Sequence, residues 1–149
     1  MPCSGLKKTL QAENKNDCFD NSHVAKEHGK RFSFNNTTNK SICRVRIDNC
    51  FITGLEKRCD FFFKIETPVK YYLVELKGVK VDEGIKQIIS TYENVNSKIK
   101  ALPQDYTGVI VSSSVPKATD QRFRKLQDKC LREKKLKIRK THLQHIEPI

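Results

Sequence analysis

Lys70-Tyr71-Tyr72-Leu73-Val74-Glu75-Leu76-Lys77-Gly78 is apolar enough to be an interior strand, yet it carries a carboxylate and an ammonium two residues apart. Side chains at i and i+2 of a strand point to the same face. Glu75 and Lys77 therefore sit side by side while Leu76 points the other way. The strand is apolar on both faces, as a central strand covered on both sides should be. A buried charge is costly unless it is paired or binds a metal. Two charges on such a strand, with Asp60 on the strand before it, mark a site.

Working outward, Cys59 to Ile65 reads as the preceding strand, and Thr67-Pro68 as the turn of a hairpin between the two. Ile42-Cys43-Arg44-Val45-Arg46-Ile47 alternates apolar and basic residues, the pattern of a half-exposed strand. Asp48-Asn49 begins a turn, and Thr53-Gly54 with Glu56-Lys57-Arg58 forms a loop. Downstream, Val81, Ile85, Ile88, Ile89, Tyr92, Val95 and Ile99 make an amphipathic helical stripe. Pro103 and Asp105 break the chain before a short buried strand, Thr107 to Ser112. Ser112-Ser113-Ser114-Val115-Pro116 is a loop. Thr119 or Asp120 caps a helix reaching about Glu133, with Phe123, Leu126, Cys130 and Leu131 inward. Lys135 to His142 alternates as a basic edge strand. Residues 1–16 are expected to be a flexible N-terminus and residues 17–149 a single domain. Within that domain residues 17–30 read as a short helix with Phe19 and Val24 inward, and Asn35 to Asn39 as a loop. The predicted order is α-β-β-β-α-β-α-β, a mixed sheet flanked by helices, of α/β class.

The chain of 149 residues has room for one proper core. Its mean hydropathy of −0.61 and the lack of any membrane-length apolar run indicate a soluble chain without a membrane partner. The N-terminus has no apolar stretch of signal-peptide type, so a cytoplasmic location is expected. Net charge is +12, from 29 Lys and Arg against 17 Asp and Glu. That excess points to a polyanion, nucleic acid before a membrane surface, although lysines also decorate solvated faces. The six cysteines contain no C-x-x-C pair. Reduced core thiols are therefore expected ahead of a structural metal or disulfides.

Asp60, followed after fourteen residues by Glu75-Leu76-Lys77, resembles the PD-(D/E)XK nuclease superfamily. The resemblance covers roughly residues 42–112. It implies a restriction-endonuclease-like, three-layer α-β-α fold of the kind shared with Holliday-junction resolvases. It also implies a catalytic set of Asp60, Glu75 and Lys77. Asp60, Glu75 and the Leu76 backbone carbonyl would hold Mg²⁺, for which Mn²⁺ can substitute, and Lys77 would orient the attacking water. Cys59 stands where the family motif has proline. The acidic residue that many members add from a first helix would be Glu27, with Asp17 or Asp48 as alternatives. Gln87, on the long helix, resembles an accessory glutamine of exonuclease relatives. Tyr92 falls on the apolar stripe and reads as core.

Arg44, Arg46, Arg122, Lys125, Lys129 and Arg139 are the candidate nucleic-acid-binding residues, the last four within a C-terminal third crowded with basic side chains. The expected activity is Mg²⁺-dependent hydrolysis of phosphodiester bonds in DNA, endonucleolytic before exonucleolytic. So short a chain would act as a homodimer, act structure-specifically or belong to a larger complex. The alternatives are a nucleic-acid-binding protein on the same fold without turnover, and an accessory protein-interaction module.

Overall fold

A computed structural model describes residues 3–78, 80–113 and 119–149, apart from the side chains of Thr119 and Asp120. In chain order the elements are α1 (Ser4–Thr9), β1 (Phe19–Asp20), β2 (Val24–Glu27), β3 (Lys30–Asn35), β4 (Ile42–Arg46), β5 (Phe61–Ile65) and β6 (Lys70–Lys77). They continue with α2 (Val81–Ile99), β7 (Tyr106–Ser112), α3 (Thr119–Lys134), β8 (Lys137–His142) and β9 (Gln144–Pro148). The chain is mixed α/β. Six strands form one sheet in the order β1-β4-β5-β6-β7-β8, and β2-β3-β9 form a second.

β5 and β6 make the expected hairpin, pairing antiparallel with Phe61 opposite Val74. β6 then pairs parallel with β7, and β7 with β8, each through a helical crossover. β6 is thus central, and its residues Tyr71 through Leu76 are all buried. α2 lies on one face of the sheet through Val81, Ile85, Ile88, Tyr92 and Val95. Gly108 lets it come close: a Cβ there would meet Ile88 Cγ2 at 2.9 Å. Phe123 and Cys130 of α3 join the same core. Leu131 is instead 48% exposed, which corrects its inward assignment.

The opposite face, bearing Tyr72, Val74, Leu76 and Val109, packs on Ala25, Phe32 and Phe34 of the small sheet. The layers are therefore helices, large sheet and small sheet, which corrects the expected α-β-α sandwich. The source is residues 17–35. The helix predicted over residues 17–30 is replaced by a 3₁₀ turn at Asn16–Cys18, by β1 and β2, and by the start of β3. Lys30–Asn35 alternates buried and exposed positions, a period of two that cannot sit on a helix. β3 pairs parallel with the C-terminal β9, which aligns Phe32 with His145. His145 stacks on Phe32 with ring centroids 5.7 Å apart.

The N-terminus is docked where fraying was expected. Leu6, Leu10 and Ala12 are each 1% exposed within the helix-side core. Two disulfides, Cys3–Cys43 and Cys18–Cys50, fasten this segment, while Cys59 and Cys130 stay as buried thiols. Four of the six cysteines thus depart from the reduced state expected for them. Such bonds persist in oxidising surroundings and are rare in the cytosol, which sets them against the expected compartment. Among the described residues no helix is long and apolar enough to cross a membrane. Ser114–Pro116 of the predicted loop and the capping side chains of Thr119 and Asp120 lie outside the described residues.

Candidate active site

Asp60 sits one residue before β5, where its backbone extends the ladder. Its N–H donates to Val74 O at 3.2 Å, and its carbonyl accepts from the N–H groups of Ile47 and Asp48. The preceding N–H, of Cys59, donates to Thr91 Oγ1 of α2 at 2.8 Å. So anchored, Asp60 turns its carboxylate back to β6, where Oδ2 accepts the Leu76 N–H at 2.8 Å. N–H and C=O of one strand residue point to the same edge. The Leu76 carbonyl therefore faces the side of β6 on which Asp60 lies.

Glu75 is 3% exposed. Its Oε1 is buried without a hydrogen-bond partner among the described residues. Lys77 Nζ stands 4.0 Å from Oε2, too far for a hydrogen bond. Burial pushes the Glu75 carboxyl up to about 9, and the neighbouring Asp60 charge adds to the rise, with Lys77 only partly offsetting it. Burial likewise lifts Asp60 to about 6, against the pull of the Leu76 N–H, with Glu27 and Asp48 repelling its charge. Two carboxyls that resist sharing two negative charges hold a proton between them, or take a cation.

The surroundings are acidic and basic in turn. A cleft of about 360 Å³ is lined by Lys26, Glu27, Arg44, Arg46, Asp48 and Asp60. Glu27 thus reaches the site, from strand β2 and not from a helix. Asp48 also lines a second cleft, of about 300 Å³, with Leu55, Arg58 and Gln87. The Gln87 Oε1 is buried and without a partner among the described residues. Asp17 lies in the 3₁₀ turn, and its carbonyl accepts from Arg46 Nη2 at 2.7 Å. Tyr92 packs edge-on against Tyr106 in the core.

The basic candidates divide. Arg44 is consumed by the fold: Nε and Nη2 bond Asp20, and Nη1 bonds Val24 O. Burial works to raise the Asp20 carboxyl, but the Arg44 bonds and the Ser22 N–H leave it below the usual range. Arg139 Nη2 is likewise bonded to Glu147 at 2.7 Å. Arg46, Lys125 and Lys129 are exposed, as is Arg122, which stands 3.6 Å from Asp82. The sequence reading missed the Arg44–Asp20 and Arg139–Glu147 pairs, because each joins a strand to an element it had not assigned.

Asp60, Glu75 and the Leu76 carbonyl supply oxygen donors, one of them an orphan. That set suits a hard cation such as Mg²⁺, which binds through one or two carboxylates and keeps several waters. No three His, Cys, Asp or Glu side chains converge to cage an ion among the described residues. Water and substrate oxygens would complete such a shell. No family model, curated protein or solved structure matches this chain.

Proposed function

We propose that this chain is a metal-dependent nuclease of PD-(D/E)XK type that hydrolyses phosphodiester bonds in DNA. The observation that carries the reading is the partnerless Glu75 Oε1, buried beside an Asp60 whose other ties are already made. Orphaning a buried carboxylate oxygen costs about 1–3 kcal/mol, which a fold tolerates where a ligand supplies the missing partner. The order β4-β5-β6-α2-β7-α3-β8 supports a restriction-endonuclease-like core, here with a small sheet in place of one helical layer.

In this reading Asp60 and Glu75 hold Mg²⁺ or Mn²⁺, which lowers the pKa of a bound water and offsets charge on the phosphate. Asp60 is kept in place by the Leu76 N–H. Lys77, a quarter exposed at the strand end, donates to the attacking water and to the phosphate oxygens. Arg46 and Lys26 face the incoming backbone from the cleft wall. A second copy would provide a second site for a duplex or a junction.

The test is nicking of supercoiled plasmid and cleavage of branched, single-stranded and RNA substrates in Mg²⁺ or Mn²⁺. Wild type should cut, while Asp60→Ala and Lys77→Ala should not. Salt-sensitive binding with no cleavage of any substrate would reassign the chain to nucleic-acid binding without turnover.

A further inference from the structure

The loop between β4 and β5 presents Leu55 at 104% exposure, against 63% for Ile146 and 60% for Leu102. A single exposed leucine needs no explanation on a mobile loop. This loop is heavily tied. Arg58, itself only 13% exposed, donates Nη1 to Gly54 O at 2.7 Å and to Glu56 O at 3.3 Å. Its Nε bonds Asp48 Oδ1 and its Nη2 bonds Asn49 Oδ1, both at 2.8 Å. The far end is bolted to α2 by Ser90 Oγ to Lys57 O at 2.7 Å and by Lys57 Nζ to Glu83 at 3.2 Å. Gly54, at φ +94°, makes the turn that lifts Leu55 clear.

Ordering a loop costs conformational entropy at every residue. Here the ties hold an apolar tip in water, where it adds nothing to the core. The position of that tip indicates its partner. Leu55 lines the cleft that contains Asp48 and Gln87, and Asp48 also lines the cleft of Asp60. A polyanion drawn to a chain of charge +12 and seated across Asp60 would bring its neighbouring base step to Leu55.

We propose that Leu55 is a wedge that enters the base stack of bound DNA beside the cleavage site. The role rests on the nuclease reading of the Asp60–Glu75 centre. Apolar wedges unstack a base step at a cost that is least where pairing is already broken. The substrate class is therefore duplex DNA with an interrupted stack: mismatched, nicked or branched.

The experiment uses duplexes carrying 2-aminopurine, either perfectly paired or beside a mismatch, in Ca²⁺ at low salt. Anisotropy reports binding, fluorescence reports unstacking, and cleavage is measured separately in Mg²⁺. Wild type should raise the fluorescence several-fold at saturation, more so at the mismatch. Leu55→Ala should saturate but lose most of the rise, and Leu55→Phe should restore it. An unchanged rise in Leu55→Ala, or no rise at saturated binding, overturns the wedge even if cleavage is intact. A Leu55-dependent rise without cleavage supports the wedge and overturns only the hydrolytic reading. No binding to any of these duplexes overturns the wedge, and the nuclease reading then stands or falls on the plasmid, branched and single-stranded cleavage assays.

Discussion

Among the described residues two glutamates are buried, and they are provided for in opposite ways. Glu147 is met by three partners: Arg139 Nη2 and His145 Nε2 at 2.7 Å on Oε1, and Tyr72 Oη at 3.3 Å on Oε2. Burial works to raise its carboxyl, but the His145 and Arg139 contacts outweigh it and leave the group below its ordinary value. Glu75, on the neighbouring region of the same fold, has an orphan oxygen, a distant ammonium and a carboxylate for a neighbour. The first is a buried charge completed by the chain itself. The second keeps an oxygen that no described residue meets. Burial is common to both carboxylates; the missing partner is what separates them, and it is on this difference that the nuclease reading rests.

The sharpest way to break this contrast is to make the same substitution at both positions. Glu75→Gln should abolish cleavage, by on the order of a thousandfold or about 4 kcal/mol in transition-state stabilisation. Glu147→Gln should change the rate per folded molecule by less than about twofold. Plasmid nicking at matched protein concentration checks both, and equal losses would erase the distinction.

Stability should respond in the reverse order. Glu147→Gln leaves the Arg139 charge half-provided and should cost about 2–3 kcal/mol in urea denaturation. Glu75→Gln removes the cost of neutralising a carboxylate that is ionised in the unfolded chain at pH 8, and should be neutral or stabilising by about 1–2 kcal/mol there.

The pH dependence separates them further. Glu75 binds its proton more tightly folded than unfolded. Its contribution is fully present below the ordinary value of 4.5 and is lost as pH rises through about 9. Asp60 acts in the same direction, between 3.8 and about 6. Glu147 binds its proton less tightly folded. Its contribution is present above 4.5 and is lost as pH falls through its depressed value. Melting curves from pH 2 to 9 should therefore show a fall above about pH 6 that vanishes in Glu75→Gln, and an acid limb below pH 4.5 that shrinks in Glu147→Gln. Mn²⁺ or Ca²⁺ at about a hundred times its dissociation constant should add about 2.7 kcal/mol. At a fixed metal concentration that gain should be larger at pH 8 than at pH 6, and it should be absent in Glu75→Gln. The smallest effect concerns the second orphan oxygen: Gln87→Leu should leave stability unchanged or raise it by about 1 kcal/mol, read from the same melts.

The charged strand was legible because its pattern is local. Alternation in β4, the β5–β6 hairpin and the helical stripe of α2 each fit within about twenty residues, and they bring Asp60 and Glu75 together. What stayed hidden depends on distant partners. The Phe32 and Phe34 alternation in β3 is short and flanked by polar residues, and its neighbour β9 lies at the other end of the chain. Without β3 and β9, Glu27 had no strand to sit on and Arg139 and His145 had no Glu147 to face. Cysteine spacing likewise carries no pairing. Nothing in the separations of 40 and 32 residues singles out Cys3 with Cys43 or Cys18 with Cys50.

Those two bridges overlap along the chain, since Cys18 lies inside the first loop and Cys50 outside it. Any single backbone cut between Cys3 and Cys50 therefore leaves the two pieces covalently joined. A protease that nicks the Asn36–Asn39 turn would yield a species of unchanged mass, but for one added water, until a reductant is supplied. The whole N-terminal third thus behaves as a closed circuit, in which the peptide bond at any one point is dispensable to connectivity.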